Sequence, residues 1–347
     1  MVYHLSILLT LMSKILYVGN DLTRKTSYKT SMALICEKLS DEGIEVVRTS
    51  NKTNKIVRFI DMVFSVLKHR NSNIVIIDVF STTNFYYAFL ISQLCRLLNI
   101  TYATVLRGGN LPSRLSNNRV LSKLIFKNSN TNIAPSKYLE KEFLKQGFKT
   151  SYIPNTIELS DYTFENKNID VPKILWVRSF IDIYNPSMAV KVLKKVKAHY
   201  PEAILCMIGP FRDDSYPETV ALAEEYGIKD SIEFTGVLKK KDWIKKSKDY
   251  NVFINTTNID NTPVSVIEAM ALGFVVISTN VGGIPFLIED GQDGYLVDKD
   301  DHDSMSNKII KLFEKELKIT SKEARNKVET FDWLHVKESW LQLISSI

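Results

Sequence analysis

"NVFINTTNIDNTPVSVIEAMALGFVVISTNVGG" (Asn251–Gly283) contains a short β-branched and aromatic run, a polar loop, a proline-led apolar segment, a second β-branched run and a glycine pair. "NVFINT" and "FVVIST" have the length and residue types of buried strands, and Pro263 suits the first turn of the helix between them. Two short strands joined by a helix pair in parallel, because the crossover returns the chain to the same end of the sheet. Asp260 falls in the loop of this unit and Glu268 in its helix, eight positions on.

The same alternation runs outward on both sides. Towards the N-terminus it reads "KILYVGN", "YKTSMALICEKLSDEG", "IEVVRTS", "IVRFIDMVFSVLKHR", "IVIIDV", "YYAFLISQLCRLLN" and "TYATVLRG". It restarts at "KILWVRS" (Lys173–Ser179), after the polar stretch "SDYTFENKNIDVP" (Ser160–Pro172), which reads as the linker. The expected fold is α/β, with two Rossmann-like domains facing across a cleft: 12–158, 171–328, and a terminal segment 329–347. In such sheets ligands bind beyond the carboxyl ends of the strands. A length of 347 residues accommodates two domains that each bury a core.

With 45% hydrophobic and 24% charged residues and no repeat or low-complexity tract, the chain is not a disordered or fibrous protein. Cys36, Cys95 and Cys206 are far apart in apolar segments, as expected of reduced core residues in a cytoplasmic protein. "MVYHLSILLTL" (residues 1–11) is too short to span a bilayer; a mis-assigned start before Met12 is the expectation, a weak interfacial anchor the alternative. The net charge of +6 is unevenly divided: residues 12–158 carry 21 Lys and Arg against 10 Asp and Glu, whereas residues 159–347 carry 24 against 29. A basic half suits an anionic partner, such as a membrane surface or a lipid-linked diphosphate. Nucleic acid is not expected, since no aromatic residues are interleaved with the basic ones on one face. Asp213 with Asp214, and Asp298–Asp303, read as polar loops, and the five histidines share no ligand spacing, so no metal site is expected.

A helix N-terminus offers free N–H groups to phosphate oxygens, so Asn261, Thr262, Val264 and Ser265, around Pro263 at the helix start, are candidates to hold a diphosphate. Carboxylates on either side, Asp260 and Glu268, would accept hydrogen bonds from the hydroxyls of a sugar and a ribose. The surrounding pattern, "D-NTPVSVI-E-AMALG" followed by a strand and "NVGGIPFLIEDGQDGYLV", resembles the signature of the family 4 retaining glycosyltransferases of GT-B fold. "NIAPSKYLEKEFLKQGF", "AILCMIGP", "IEFTGVL" and "NVFINTT" resemble successive segments of that family, and "FDWLHVKESWLQLI" its last helix, which crosses back to the N-terminal domain.

The resemblance implies a hexosyltransferase-type enzyme that moves a sugar from a nucleotide diphosphate donor to an acceptor hydroxyl with retention, without a metal or other cofactor. Asp260 would contact the donor sugar, Glu268 the ribose, and Asn261 to Val264 the phosphates. Gly209, Pro210, Gly236 and Val237 would line the donor edge, with plain turn geometry as the alternative. Arg178, ending "KILWVR", would stabilise charge on the departing diphosphate. Where the family adds a lysine a few residues on, this chain has Ile183 and Tyr184, and Asp260 replaces the family's first glutamate.

In the N-terminal half, "VLRGGNLP" (Val105–Pro112) resembles the loop that reaches the reacting sugar. This makes Arg107 a catalytic candidate and Gly108, Gly109 and Asn110 acceptor-side candidates, a plain tight loop being the alternative. The first strand-to-helix turn lacks a dinucleotide fingerprint, but Thr26, Ser27 and Lys29 within it are candidates to touch the acceptor or the pyrophosphate. The expected partners are a nucleotide sugar and a saccharide or lipid-linked acceptor in envelope or surface polysaccharide or glycolipid synthesis, at the inner face of the cell membrane. A sugar-nucleotide epimerase of the same fold and a sugar-nucleotide-binding pseudoenzyme are the alternatives.

Overall fold

The computed structural model describes residues 13–21, 30–168 and 170–346; the expectations for residues 1–11 and for Thr26, Ser27 and Lys29 lie outside these. The chain divides into two compact units. One runs to Thr156 and takes in Phe331 onward, and the other spans Ile157–Thr330.

Among the described residues each unit carries one six-stranded parallel sheet. The first has the order β2-β1-β3-β4-β5-β6, with β1 (Lys14–Val18), β2 (Glu45–Thr49), β3 (Ile74–Val79), β4 (Tyr102–Leu106), β5 (Asn132–Ala134) and β6 (Thr150–Tyr152). The second has the order β12-β11-β10-β7-β8-β9, with β7 (Lys173–Val177), β8 (Ile204–Ile208), β9 (Ile232–Gly236), β10 (Val252–Asn255), β11 (Val275–Thr279) and β12 (Tyr295–Val297). Strands such as β3 and β11 are buried along their whole length, as apolar runs covered by helices on both faces must be. The strand order reverses between β1 and β3 and between β7 and β10, and these reversals leave the crevices where doubly wound sheets take ligands. The second crevice is bounded by Arg178, just after β7, and by the loop after β10 that carries Asp260.

The helix Trp333–Ser345 belongs to the first unit. Its Trp333, Val336, Trp340, Leu343 and Ile344 share a core with Ile15, Tyr17 and Ile35. Asp332 caps it by accepting from the Leu334 N–H, and the Trp333 indole donates to Glu42 Oε1 at 3.0 Å.

The polar stretch after Ser160 is not a free linker, because its few aromatic and amide groups are bound to the second unit. Tyr162 is buried, and the Asn251 side chain donates to the carbonyls of Asn168 and Val171. The Glu165 carbonyl lies so close to Gly273 that a Cβ there would sit 2.3 Å from it. The unit boundary therefore falls earlier, between Thr156 and Ile157. Cys36, Cys95 and Cys206 are buried free thiols, and burial pushes them up to about 12, 12 and 11.

Candidate active site

Arg178 is fixed first through its backbone. Its N–H donates to the Ile208 carbonyl at 3.0 Å and the Phe180 N–H to that of Pro210 at 2.8 Å, while Gly209 donates to Gly236 at 2.8 Å. A Cβ on Gly209 would lie 1.7 Å from the Arg178 carbonyl oxygen, so glycine is required there by close approach. Gly209, Pro210 and Gly236, expected at the donor edge, thus hold the arginine's backbone.

The Arg178 guanidinium forms an ion pair, Nη2 to Asp260 Oδ2, and lies 4.5 Å over the ring of Tyr184. Tyr184 is held from below: its carbonyl accepts from Thr256 Oγ1 at 2.8 Å, and Ile183's accepts from the Asn258 N–H at 2.8 Å. Where the sequence suggested a missing second cation, the chain places an aromatic platform under the first, which orients the guanidinium plane.

The Asp260 loop is pinned by the glycine pair after β11. Gly283 donates to the Asp260 carbonyl at 3.0 Å, and Cβ atoms on Gly282 and Gly283 would sit 2.1 Å from Asp260 O and 1.9 Å from Asn261 O. Gly282 also has φ +53°, a left-handed conformation. One expectation is corrected. The Asn261 N–H is not free for a ligand, because Asp260 Oδ1 accepts it at 2.8 Å. The helix Val264–Ala271 starts at Pro263 with no side-chain cap, so Val264 and Ser265 present its leading N–H groups. Arg178 Nε, Asn258 Oδ1 and Ser265 Oγ are buried without a hydrogen-bond partner. Such atoms are rare in folded proteins, and here one belongs to Arg178 itself and two to the segment Asn258–Ser265 that carries Asp260.

One face of the same helix carries Glu268, whose Oε1 accepts from the hydroxyl of the buried Tyr162. Burial pushes the Glu268 carboxyl up to about 7, against the lowering effects of the Tyr162 hydrogen bond and of Lys240. Tyr162 is itself held well above the ordinary phenol range by burial and by Glu268. Lys240 lies 4.6 Å over the Tyr162 ring and pairs with Asp161 at 2.8 Å. Sequence reasoning missed Tyr162, since nothing in a polar stretch signals that one phenol turns inward.

It also missed Phe211, which is 45% exposed yet stacked on Tyr216 with centroids 3.6 Å apart at 17°. Phe211 lies beside Gly236, and Val237 is exposed next in the chain. Phe211 and Val237 thus leave a partly exposed apolar edge on this unit.

In the first unit the structure corrects the expectation for Arg107. Rather than a free catalytic cation, it is the buried centre of a network: Nε donates to Asp78 Oδ1, Nη1 to Asn155 Oδ1 and Nη2 to the Tyr17 hydroxyl, each at 3.0 Å. Tyr17 in turn donates to Asp78 Oδ1 at 2.9 Å. Burial opposes the charge, but Asp78 and Tyr17 outweigh it and hold the guanidinium above its ordinary value. What remains accessible is the loop that follows. Gly108 packs on Ser81, where a Cβ would come 2.7 Å from the backbone nitrogen, while Gly109 is partly exposed and Asn110 exposed at the start of the helix Leu111–Asn117.

Asp213 accepts from the N–H groups of Asp182 and Ser215, and Asp301 caps the helix His302–Phe313, so both acidic stretches act as loop and cap residues.

Residues 162–330 match the family model described as glycosyl transferases group 1. The D-inositol 3-phosphate glycosyltransferase of Mycolicibacterium smegmatis is 25% identical over 166 residues, 47% of this chain and 38% of that protein. The putative colanic acid biosynthesis glycosyltransferase WcaL of Escherichia coli is 32% identical over 117 residues, 31% of this chain and 29% of its own. The chain spans under half the length of these curated relatives. Among solved structures, sucrose-phosphate synthase from Thermosynechococcus elongatus superposes with a TM-score of 0.81 at 17% identity, over 97% of this chain and 100% of that one. Anabaena HepE in complex with UDP and glucose gives 0.74 at 15% identity, over 96% and 100%. The chain has the GT-B fold, and its likeness in sequence to the group 1 glycosyltransferases lies in the unit that holds Arg178, Asp260 and Glu268.

Proposed function

We propose that the protein is a retaining glycosyltransferase that takes a sugar from a nucleoside diphosphate donor and gives it to a hydroxyl of a saccharide or lipid-linked acceptor, in envelope or surface polysaccharide or glycolipid synthesis. The observation that carries this is the Arg178–Asp260 pair beside the uncapped N-terminus of the helix that bears Glu268. On this reading the diphosphate lies on Arg178 and on the Val264 and Ser265 N–H groups, where the helix dipole and the guanidinium meet the charge that develops on the leaving group. Asp260 accepts from hydroxyls of the donor sugar and Glu268 from the ribose, and Phe211 with Gly236 and Val237 supports the base. The chemistry needs no protein nucleophile and no metal.

A thermal-shift panel of UDP-, GDP-, ADP- and dTDP-sugars with and without EDTA tests the donor site, because a ligand at a hundredfold excess over Kd stabilises the folded state by about 2.7 kcal/mol. One nucleotide sugar is expected to raise Tm, to do so equally with EDTA, and to lose the effect in Glu268→Ala. Transfer or donor hydrolysis should disappear in Arg178→Ala. Reversible donor isomerisation without transfer would replace this reading with an epimerase, and binding without turnover with a pseudoenzyme.

A further inference from the structure

The helix Lys55–Lys68 is apolar on two opposite faces. Arg58, Met62 and Val66 face the interior, as the core of the first unit requires. Ile56, Val57, Ile60, Phe64 and Leu67 fall on the other side, within an arc of about 100° at 100° per residue. All five are exposed, Ile56 by 71%, Ile60 by 59% and Phe64 by 62%. Packing onto this unit's own sheet does not account for that stripe. Neighbouring helices extend the layer: Asn84–Leu97 packs beside Lys55–Lys68, with Phe59 and Tyr87 rings 5.4 Å apart, and Arg119–Phe126 packs beside Asn84–Leu97. They add exposed Leu90, Leu97 and Val120.

Charge identifies the occupant. Residues 50–127 hold 11 Lys and Arg but only two acids, Asp61 and Asp78. Asp78 is spent on Arg107, and Asp61 accepts from Thr49. Lys52, Lys55, Lys68, Arg70, Arg119, Lys123 and Lys127 are exposed, and among the described residues none of them has an ion pair. A protein partner of ordinary composition does not explain exposed apolar side chains on a helix layer whose exposed cations are unpaired among the described residues, whereas an anionic lipid surface does: the apolar side chains enter the acyl boundary and the cations meet the headgroups. At 14 residues the helix is too short to span, and would lie in the plane of the interface.

We propose that this three-helix face docks the protein on anionic bilayers, with Ile56, Ile60 and Phe64 inserted and Lys55 and Lys68 on phosphate headgroups. The proposal deepens the lipid-linked acceptor reading and rests on it only for its biological use. Contact with lipid is measured without donor or acceptor, so the two fail separately.

The test is co-sedimentation of the full chain with phosphatidylcholine vesicles and with vesicles that also contain phosphatidylglycerol. The wild type is expected to pellet with the second and not the first. Ile60→Ser/Phe64→Ser and Lys55→Glu/Lys68→Glu should each weaken partitioning by about tenfold or more, while circular dichroism melts and the donor-induced thermal shift stay at wild-type values. No pelleting with either vesicle, or unchanged pelleting of both variants, would overturn the proposal. So would a wild-type dimer by light scattering that becomes monomeric in Ile60→Ser/Phe64→Ser, since the face would then belong to a second copy of the chain.

Discussion

Replacing Tyr162 by phenylalanine removes the hydroxyl that donates to Glu268 Oε1 and leaves the buried ring, with Lys240 over it, in place. A hydrogen bond to a charged group contributes about 1.5–3 kcal/mol, and one pKa unit corresponds to about 1.4 kcal/mol, so the Glu268 carboxyl should rise by about 1–2 units from its value near 7. At neutral pH the wild type is about half ionised and the variant mostly protonated. If the ionised carboxylate accepts the ribose hydroxyls, the donor KM at pH 7 should rise about tenfold with kcat nearly unchanged. The acid limb of kcat/KM should move up by about 1–2 units, and the two proteins should converge at alkaline pH. Steady-state kinetics from about pH 5 to about pH 9 read this directly. A loss equal at every pH would mean that Tyr162 only packs, and would refute the coupling.

The same shift makes a stability test. Folded Glu268 keeps its proton up to about pH 7, against an ordinary value of 4.5 for the unfolded chain. The stabilising effect of that proton is therefore full below 4.5 and is lost as pH rises through 7. Glu268→Gln, neutral at every pH, should melt with the wild type near pH 4.5 and above it beyond pH 7. Parallel melting curves would refute the raised carboxyl.

Arg178→Lys exchanges a stacked, forked cation for a point charge and should lower kcat by about a hundredfold with a smaller effect on donor binding; a change in KM alone would give Arg178 a ground-state role. Gly283→Ala drives a methyl group into the Asn261 carbonyl, and should lower Tm and abolish the donor-induced thermal shift together, because the Asp260 loop must move. Arg107→Lys cannot reach Asp78, Asn155 and Tyr17 at once and should cost about 2–4 kcal/mol in denaturant titration while the donor-induced shift persists. Full stability with lost turnover would return Arg107 to the catalytic list.

The alternation of apolar runs around Asn251–Gly283 was enough to read two parallel sheets, because strand and helix periods are local properties of the chain. Asp260 and Glu268 could be placed in a loop and a helix turn for the same reason, whereas Arg178 was singled out only by the resemblance at the end of "KILWVR". Partners brought together across the fold were not readable. The inward turn of Tyr162 depends on a helix 106 positions away, and the burial of Arg107 on Tyr17, Asp78 and Asn155. "RGG" looks the same in sequence whether its arginine faces a ligand or the core. The glycines after β11 were visible as a motif, but their work, letting one loop press on the backbone of another, shows only where the Cβ would collide.

The Arg178–Asp260 pair also bears on how a donor would enter. A partly buried cation left alone costs several kcal/mol, and so does a lone carboxylate; paired, each limits the cost of the other. On the proposed reading a nucleoside diphosphate sugar supplies both substitutes at once, phosphate oxygens for Arg178 and sugar hydroxyls for Asp260, so neither group is stranded during binding. A free nucleoside diphosphate supplies only the first and leaves Asp260 to the solvent or to the same guanidinium. The sugar-bearing donor should therefore bind more tightly than its diphosphate product in the wild type, and the preference should shrink or reverse in Asp260→Asn, where no carboxylate has to be released. Titration calorimetry with both ligands against both proteins measures the four affinities. An unchanged preference in Asp260→Asn would mean that the ion pair stays closed and that the sugar is held elsewhere.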